Sequence, residues 1–85
     1  MKQFSYVLTR SVAPHARPLG RLIKESGRFS SRIRLSNGVQ SAVIKRVKDM
    51  LGVELTSGRT ITVTVEGRDE EAAVAALQNY VVANF

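Results

Sequence analysis

Residues 60 to 66 read T-I-T-V-T-V-E, and this stretch decides the fold. Apolar and polar residues alternate strictly, which predicts a β-strand with Ile61, Val63 and Val65 on its buried face. The threonines on the other face predict partial contact with water, as in an antiparallel sheet that is covered on one side only. The acidic run at 69 to 71 complements the positive end of a helix dipole, so a final helix is predicted to begin there.

Three further strands and a turn are predicted before this segment. Residues 3 to 9 are rich in strand-forming side chains and alternate imperfectly, which indicates a first strand. Residues 32 to 36 alternate more regularly. The pair Asn37-Gly38 that follows them is a strong signal for a hairpin, from which Val39 begins the return strand.

Three segments have the apolar spacing of helices. The first is predicted over residues 16 to 29, with Gly27 as its stop signal. The second is predicted to follow Ser41, whose side chain can cap a helix N-terminus. The apolar stripe of the second helix is Val43, Ile44, Val47, Met50 and Leu51, and that of the final helix is Ala72, Val74, Ala75, Leu77, Val81 and Val82.

The predicted order of elements is βαββαβα, with a four-stranded antiparallel sheet and three helices on one face. This is an α+β architecture, and the length of 85 residues predicts one domain spanning residues 1–85. The chain has no cysteine and a single histidine, which excludes disulfides and predicts no metal site. No apolar stretch approaches the roughly 20 residues of a membrane span, so we predict a cytoplasmic protein without membrane insertion.

The charge is distributed unevenly along the chain. Residues 1 to 48 carry eleven Lys and Arg against Glu25 alone, a net charge of +10, whereas residues 49 to 85 carry −4. Surfaces built from the first half are therefore predicted to attract an anionic partner, and nucleic acid, an acidic protein face and phosphate are all candidates. The alternative is a solvated basic surface without a partner.

The chemistry is concentrated in His15-Ala16-Arg17-Pro18, because no nucleotide-binding loop and no hydrolase motif is present. A neutral imidazole is a competent nucleophile at physiological pH. The N-terminal turn of the following helix favours an anion, and we expect Ala16 and Arg17 to bind phosphate there. Apart from His15 itself, the segment offers neither a general base nor a metal ligand. This predicts a phosphoryl carrier without a cofactor, whose partners supply the catalysis.

The segment A-P-H-A-R-P at residues 13–18 resembles the signature G-[LIVM]-H-A-R-P of the HPr family, the histidine-containing phosphocarriers of the bacterial phosphoenolpyruvate-dependent phosphotransferase system. Ala13 and Pro14 replace the glycine and the aliphatic residue of that signature. The resemblance extends over nearly the whole chain. It implies an open-faced β-sandwich in which His15 accepts phosphate at Nδ1 from phosphorylated Enzyme I and passes it to an enzyme IIA.

In the family the first two helices flank the phosphorylation site and form the face that meets each partner. The resemblance therefore implies a docking surface on these helices, and its cations predict acidic partner faces. We also expect the carrier to be a monomer. The position of the regulatory serine found in many members falls on Val43 or Ile44, which predicts that such regulation is absent. The predicted docking residues are Arg21, Lys24, Lys45, Arg46 and Lys48.

Two other functions remain open at this point. The chain could act as an HPr-like regulatory adaptor that signals by docking, because carriage and signalling require the same phosphorylation site. It could also bind nucleic acid through its basic surface. This second alternative is the weaker one, since the five aromatic residues are not interleaved with basic residues and no known RNA- or DNA-binding motif is present.

Overall fold

The computed structural model describes residues 1–13 and 16–85. The order of its elements is βαββαβα, as predicted. The elements are β1 (Lys2–Val7), α1 (Arg17–Ser26), β2 (Arg32–Ser36), β3 (Ser41–Val43), α2 (Val47–Met50), β4 (Thr60–Glu66) and α3 (Glu70–Asn84).

The four strands form one antiparallel sheet in the order β1-β4-β2-β3. Strand β4 lies between β1 and β2, so Val63 has Phe4 on one side and Leu35 on the other. Ile61 and Val65 are fully buried with it, as the alternation predicts. The helices cover this inner face alone, which confirms the α+β open-faced β-sandwich.

The outer face of the sheet is polar and remains in contact with solvent. Thr60 is exposed, and Thr62 and Thr64 are half-buried. The hydroxyl groups of Ser5 and Thr62 form a 2.9 Å hydrogen bond across the β1–β4 pair on this side. Hydroxyl side chains satisfy one another here without a covering layer.

Helix α1 is shorter than predicted but ends at the expected signal. Leu19 and Leu22 are fully buried, and the amide of Gly27 donates to the carbonyl oxygen of Ile23 at 3.2 Å as the helix ends. The prediction extended the helix to Phe29, because that side chain continues the apolar spacing. Phe29 instead packs against the core from the loop after α1.

The second helix was predicted incorrectly at its start. Ser41 does not cap it, because Ser41 belongs to β3 and is paired with Ser36 of β2. Helix α2 begins at Val47, and the preceding Arg46 makes no capping hydrogen bond through its side chain. Residues 41 to 46 form the edge strand β3 and the loop after it. Helix α2 is therefore only four residues long.

The turn between β2 and β3 also differs from the predicted two-residue hairpin. The amide of Asn37 donates to the carbonyl oxygen of Gln40 at 3.0 Å, so the turn spans four residues and Val39 is 83% exposed in it. The buried Asn37 side chain accepts bonds from the amides of Val39 and Gln40. Gly38 has φ +95°, a conformation that favours glycine.

Helix α3 buries a narrower stripe than predicted. Leu77 and Val81 are fully buried as predicted, and Ala73 is buried with them, whereas the predicted Ala72, Ala75 and Val82 are exposed. A helix that lies across a flat sheet buries only this narrow stripe. None of the helices in residues 1–13 and 16–85 is long and apolar enough to span a membrane.

Candidate functional site

The predicted phosphoryl acceptor His15 lies outside the described residues. Its neighbours Ala13 and Ala16 are described, and the amide of Ala16 donates to the carbonyl oxygen of Ala13 at 3.0 Å. Phosphate binding by the Ala16 amide, which the sequence predicts, requires this hydrogen bond to break. Phosphate binding by Ala16 therefore stays a prediction, and it would cost the hydrogen bond between Ala16 and Ala13.

Among the residues that the structure describes, none offsets the dipole at the N-terminal turn of α1. Its first turn contains no acidic residue, and no described side chain caps the helix. Arg17 is exposed at the first helical position, followed by Pro18, whose nitrogen has no hydrogen to donate. The turn therefore keeps a partial positive charge with a guanidinium beside it, which favours an anion. Arg17 lines a depression of about 290 Å³ together with Pro18, Arg21, Tyr80 and Asn84.

Helix α3 holds the first turn of α1 in place through a tyrosine. The hydroxyl of Tyr80 donates to the carbonyl oxygen of Pro18 at 3.0 Å, and the side-chain amide of Asn84 donates to the carbonyl oxygen of Tyr80 at 2.9 Å. Burial raises the pKa of Tyr80, which keeps the phenol protonated as a donor. This contact was not predictable from the sequence, because it joins residues 62 positions apart.

The predicted docking cations fall on three elements. Arg21 and Lys24 are exposed on α1, and Lys48 is exposed on α2, as predicted. Lys45 and Arg46 do not project from a helix, because α2 begins only at Val47; they lie in the turn that precedes it. The Lys45 ammonium donates to the carbonyl oxygen of Phe29 at 2.5 Å, so it is attached to the segment after α1.

Two apolar side chains on the same segment were not predicted to be exposed. Val47 is 51% and Leu51 is 46% exposed, although both belong to the predicted buried stripe. Only Met50 of α2 reaches the core. Because a single helical turn buries one residue, its remaining apolar side chains face solvent among Arg46 and Lys48. The hydrophobic periodicity of the sequence does not show that these two side chains are exposed.

The two positions predicted to match the family's regulatory serine carry side chains without a hydroxyl group. Ile44 is fully buried, and its amide donates to the carbonyl oxygen of Ile33 at 2.8 Å. Val43 is half-buried in β3. Ser41 is exposed in the same strand, so the predicted engagement of its hydroxyl in a helix cap is wrong.

The carboxylates of the described residues are dispersed rather than grouped around this site. Glu25 binds Arg28 at 3.1 Å, and Glu70 binds the N-terminal ammonium at 2.8 Å. Asp69 is occupied by Ser30 and Ser31 at the start of α3. Across residues 1–13 and 16–85, no three His, Asp or Glu side chains are grouped as metal ligands would be.

Comparison with known proteins finds one family over almost the entire chain. Residues 2–83 match the family model described as PTS HPr component phosphorylation site. The chain is similar to the phosphocarrier protein HPr of Mycoplasma genitalium, with 34% identity over 80 residues, 92% of this chain and 90% of that protein. The HPr of Mycoplasma capricolum is 29% identical over 82 residues, 96% of this chain and 92% of that protein.

Solved structures give the same result. The crystal structure of HPr-C-His from Thermoanaerobacter tengcongensis superposes with a TM-score of 0.89 at 25% identity, covering all of this chain and 96% of that one. A mycoplasma histidine-containing phosphocarrier protein superposes with a TM-score of 0.87 at 28% identity, covering 96% and 93%. The resemblance found in the sequence is therefore confirmed in both sequence and fold.

Proposed function

Because the chain belongs to the HPr family of phosphocarrier proteins, we propose that it accepts a phosphoryl group from Enzyme I on His15 and passes it to an enzyme IIA. One observation carries this proposal: residues 2–83 match a family model described by its phosphorylation site, and the H-A-R-P segment at 15–18 lies within that match. In this proposal the chain acts in the cytoplasm as a monomer and as one domain spanning residues 1–85.

The chemistry proposed for His15 is a direct transfer. A lone pair on the neutral imidazole nitrogen attacks phosphorus, a P–N bond forms, and the bond from phosphorus to the donor breaks. The added phosphate is dianionic or nearly so. The exposed Arg17 guanidinium and the start of α1, which no described side chain caps, support its binding. Catalytic groups for the donor side belong to the partner protein in this proposal.

The docking surface in this proposal combines cations with an apolar centre. Val47 and Leu51 supply the exposed apolar area, and Arg46 and Lys48 stand beside them in the same segment. Protein interfaces commonly pair an apolar centre with a polar rim. We therefore expect a partner surface that has an apolar patch bordered by carboxylates. Arg21 and Lys24 of α1 add further positive charge to this surface.

The test is phosphorylation in a defined mixture. The protein is incubated with phosphoenolpyruvate and Enzyme I from the same organism, and its intact mass is measured. We expect one phosphoryl adduct that is labile in acid and stable in base, as phosphohistidine is. His15→Ala should remove the adduct and leave the fold intact by circular dichroism. An undiminished adduct in this variant would contradict the proposal.

A second step tests the transfer to an acceptor. The phosphorylated protein is separated from Enzyme I and mixed with an enzyme IIA of the same organism. The carrier should lose 80 mass units, about the mass of one phosphoryl group, while the acceptor gains it. A carrier that is phosphorylated on His15 but transfers to no enzyme IIA would instead favour the regulatory adaptor.

A further inference from the structure

A row of four cations begins on one side of α1 and continues just past its end. Arg17, Arg21 and Lys24 are spaced by four and three residues, which places them on one face of α1, and Arg28 follows two residues after the helix ends. All four side chains are exposed. Arg17 and Lys24 are separated by two turns, about 10 Å along the helix axis at 1.5 Å per residue. The cations therefore form a line rather than a cluster.

This row borders two neighbouring depressions between α1 and α3. The depression of about 290 Å³ beside Arg17 adjoins a larger one of about 480 Å³ that reaches Arg28. Arg21 and Tyr80 line both of them. The larger volume lies in the lower half of the range of about 300–1,000 Å³ that is typical of small-molecule sites, and the smaller one lies just below that range. We call this feature the α1–α3 groove.

The charges in the α1–α3 groove are largely uncompensated. Among the described residues that line the groove, Glu25 is the single carboxylate, and it binds Arg28 at 3.1 Å. Within the part of the chain that the structure describes, Arg17, Arg21 and Lys24 form no ion pair. Each unpaired cation is free to bind an anion without first losing a partner.

The wall of the groove is held rigidly, whereas its cations are on long side chains. The hydroxyl of Tyr80 is fixed to Pro18, and its ring meets that of Phe85 edge to face at a centroid distance of 6.2 Å. A rigid wall lowers the conformational cost of binding, and the flexible cations adapt to the ligand. Arginine also binds phosphate oxygens through two parallel hydrogen bonds, and three of the four cations are arginine.

We propose that the α1–α3 groove binds a linear chain of three or more linked phosphates. A line of cations matches a line of anionic groups, whereas a compact anion reaches only one or two of them. Short inorganic polyphosphate and the triphosphate of a nucleotide share this chemistry. Arg21 and Lys24 also belong to the docking surface proposed above, so a bound chain would compete with Enzyme I. That consequence alone rests on the proposed function.

The test measures binding directly, by titration calorimetry with tripolyphosphate at low and physiological salt. We expect Arg21→Ala with Lys24→Ala to weaken binding at least tenfold. The matched control is Arg32→Ala with Arg34→Ala, which removes two exposed arginines from the outer face of the sheet and should keep wild-type affinity. His15→Ala should also bind normally, which separates this result from any failure of phosphoryl transfer.

A comparison of ligand shape completes the test. Cyclic trimetaphosphate and orthophosphate should bind at least tenfold more weakly than linear tripolyphosphate. Binding of ATP, followed by NMR, distinguishes the two sources. A shift of the Tyr80 ring resonances with ATP but not with tripolyphosphate supports a nucleotide as the ligand. Equal affinity for ATP and tripolyphosphate without that shift supports a free phosphate chain. Equal affinity for the linear and the cyclic anion would overturn the proposal, as would equal weakening in the two double variants.

Discussion

The ammonium group of Lys45 donates a 2.5 Å hydrogen bond to the carbonyl oxygen of Phe29. Phe29 follows α1 and packs against the core, whereas Lys45 lies in the turn before α2. The bond joins segments 16 residues apart and fixes the end of one helix relative to the start of the other. Lys45 is therefore a structural tether as well as a surface cation.

The first prediction concerns this tether. Lys45→Met keeps the aliphatic stem but removes the donor, so we expect a loss of about 0.5–1 kcal/mol in the free energy of unfolding. For a domain of this size that corresponds to a fall of a few degrees in Tm. Lys48 is exposed and its side chain makes no hydrogen bond to residues 1–13 or 16–85, so Lys48→Met should leave Tm unchanged. Identical melting of both variants would show that the bond contributes nothing.

The second prediction concerns Arg17, the cation at the first position of α1. Arg17→Lys keeps the charge but loses the planar fork that binds two phosphate oxygens at once. We expect phosphoryl uptake from Enzyme I to slow about tenfold or more, measured by rapid quenching and intact mass. Arg32→Lys on the outer face of the sheet is the control. An unchanged rate in Arg17→Lys would reduce Arg17 to a surface charge.

The third prediction concerns the exposed apolar pair Val47 and Leu51, at the start of α2 and directly after its end. Val47→Ser with Leu51→Ser removes the apolar centre of the proposed docking surface, so phosphoryl uptake at limiting Enzyme I should slow at least fivefold, since interface energy concentrates in such centres. Thermal stability should change little because both side chains are about half exposed. Val7→Ser, which alters a 55% exposed valine on the opposite face of the sheet, should keep the wild-type rate.

The fourth prediction is a dependence of stability on pH through Asp69. The Ser31 hydroxyl and the Ser30 amide donate to this carboxylate and hold its pKa below the usual value of 3.8. The stability that it contributes is therefore complete above pH 3.8 and is lost as the pH falls through the lower folded-state pKa.

The measurement for Asp69 is a series of thermal melts between pH 7 and pH 2. Asp69→Asn should melt below wild type at neutral pH, and the difference should narrow as the pH falls below 3.8. Asp49→Asn, at an exposed position of α2, should follow the wild-type curve throughout. A difference between Asp69→Asn and wild type that stays constant with pH would exclude the ionised carboxylate as its cause.

The fifth prediction contrasts two glycines. A Cβ at Gly67 would lie 2.7 Å from both Cα and Oγ of Ser31, and Gly67 has φ +153°. Gly67→Ala should therefore lower the free energy of unfolding by about 1–3 kcal/mol from backbone strain alone. A Cβ at Gly20 meets nothing within 4 Å inside α1, so Gly20→Ala should raise stability by about 0.5–1 kcal/mol. Urea denaturation measures both changes.

Long periodic segments could be predicted from the sequence because local pattern and tertiary packing agree in them. The alternation at 60 to 66 identifies the strand and its buried face, and Leu19 and Leu22 identify the inward side of α1. The acidic run at 69 to 71 marks the start of α3 within one residue. In each case several neighbouring residues give the same indication.

The region from 37 to 51 could not be predicted because its elements are too short to show a period. Ser41 suits a helix cap and an edge strand equally well, and pairing with Ser36 decides between them. Val47 and Leu51 have helical spacing, but both are exposed, because a helix of four residues buries only Met50 in the core. The contacts of Tyr80 and Lys45 with the first helix and its following loop join distant parts of the sequence, which no local pattern records.

The position of β4 also has a consequence for synthesis on the ribosome. Its pairing with β1 and β2 places residues from the last third of the chain between two strands made much earlier. A nascent chain that ends before Thr60 can pair β2 with β3, but it lacks the strand that joins β1 to them. The sheet is therefore complete only after β4 has emerged from the exit tunnel. Until that late step β1 has no strand to pair with, and its apolar side chains are not covered by the sheet core.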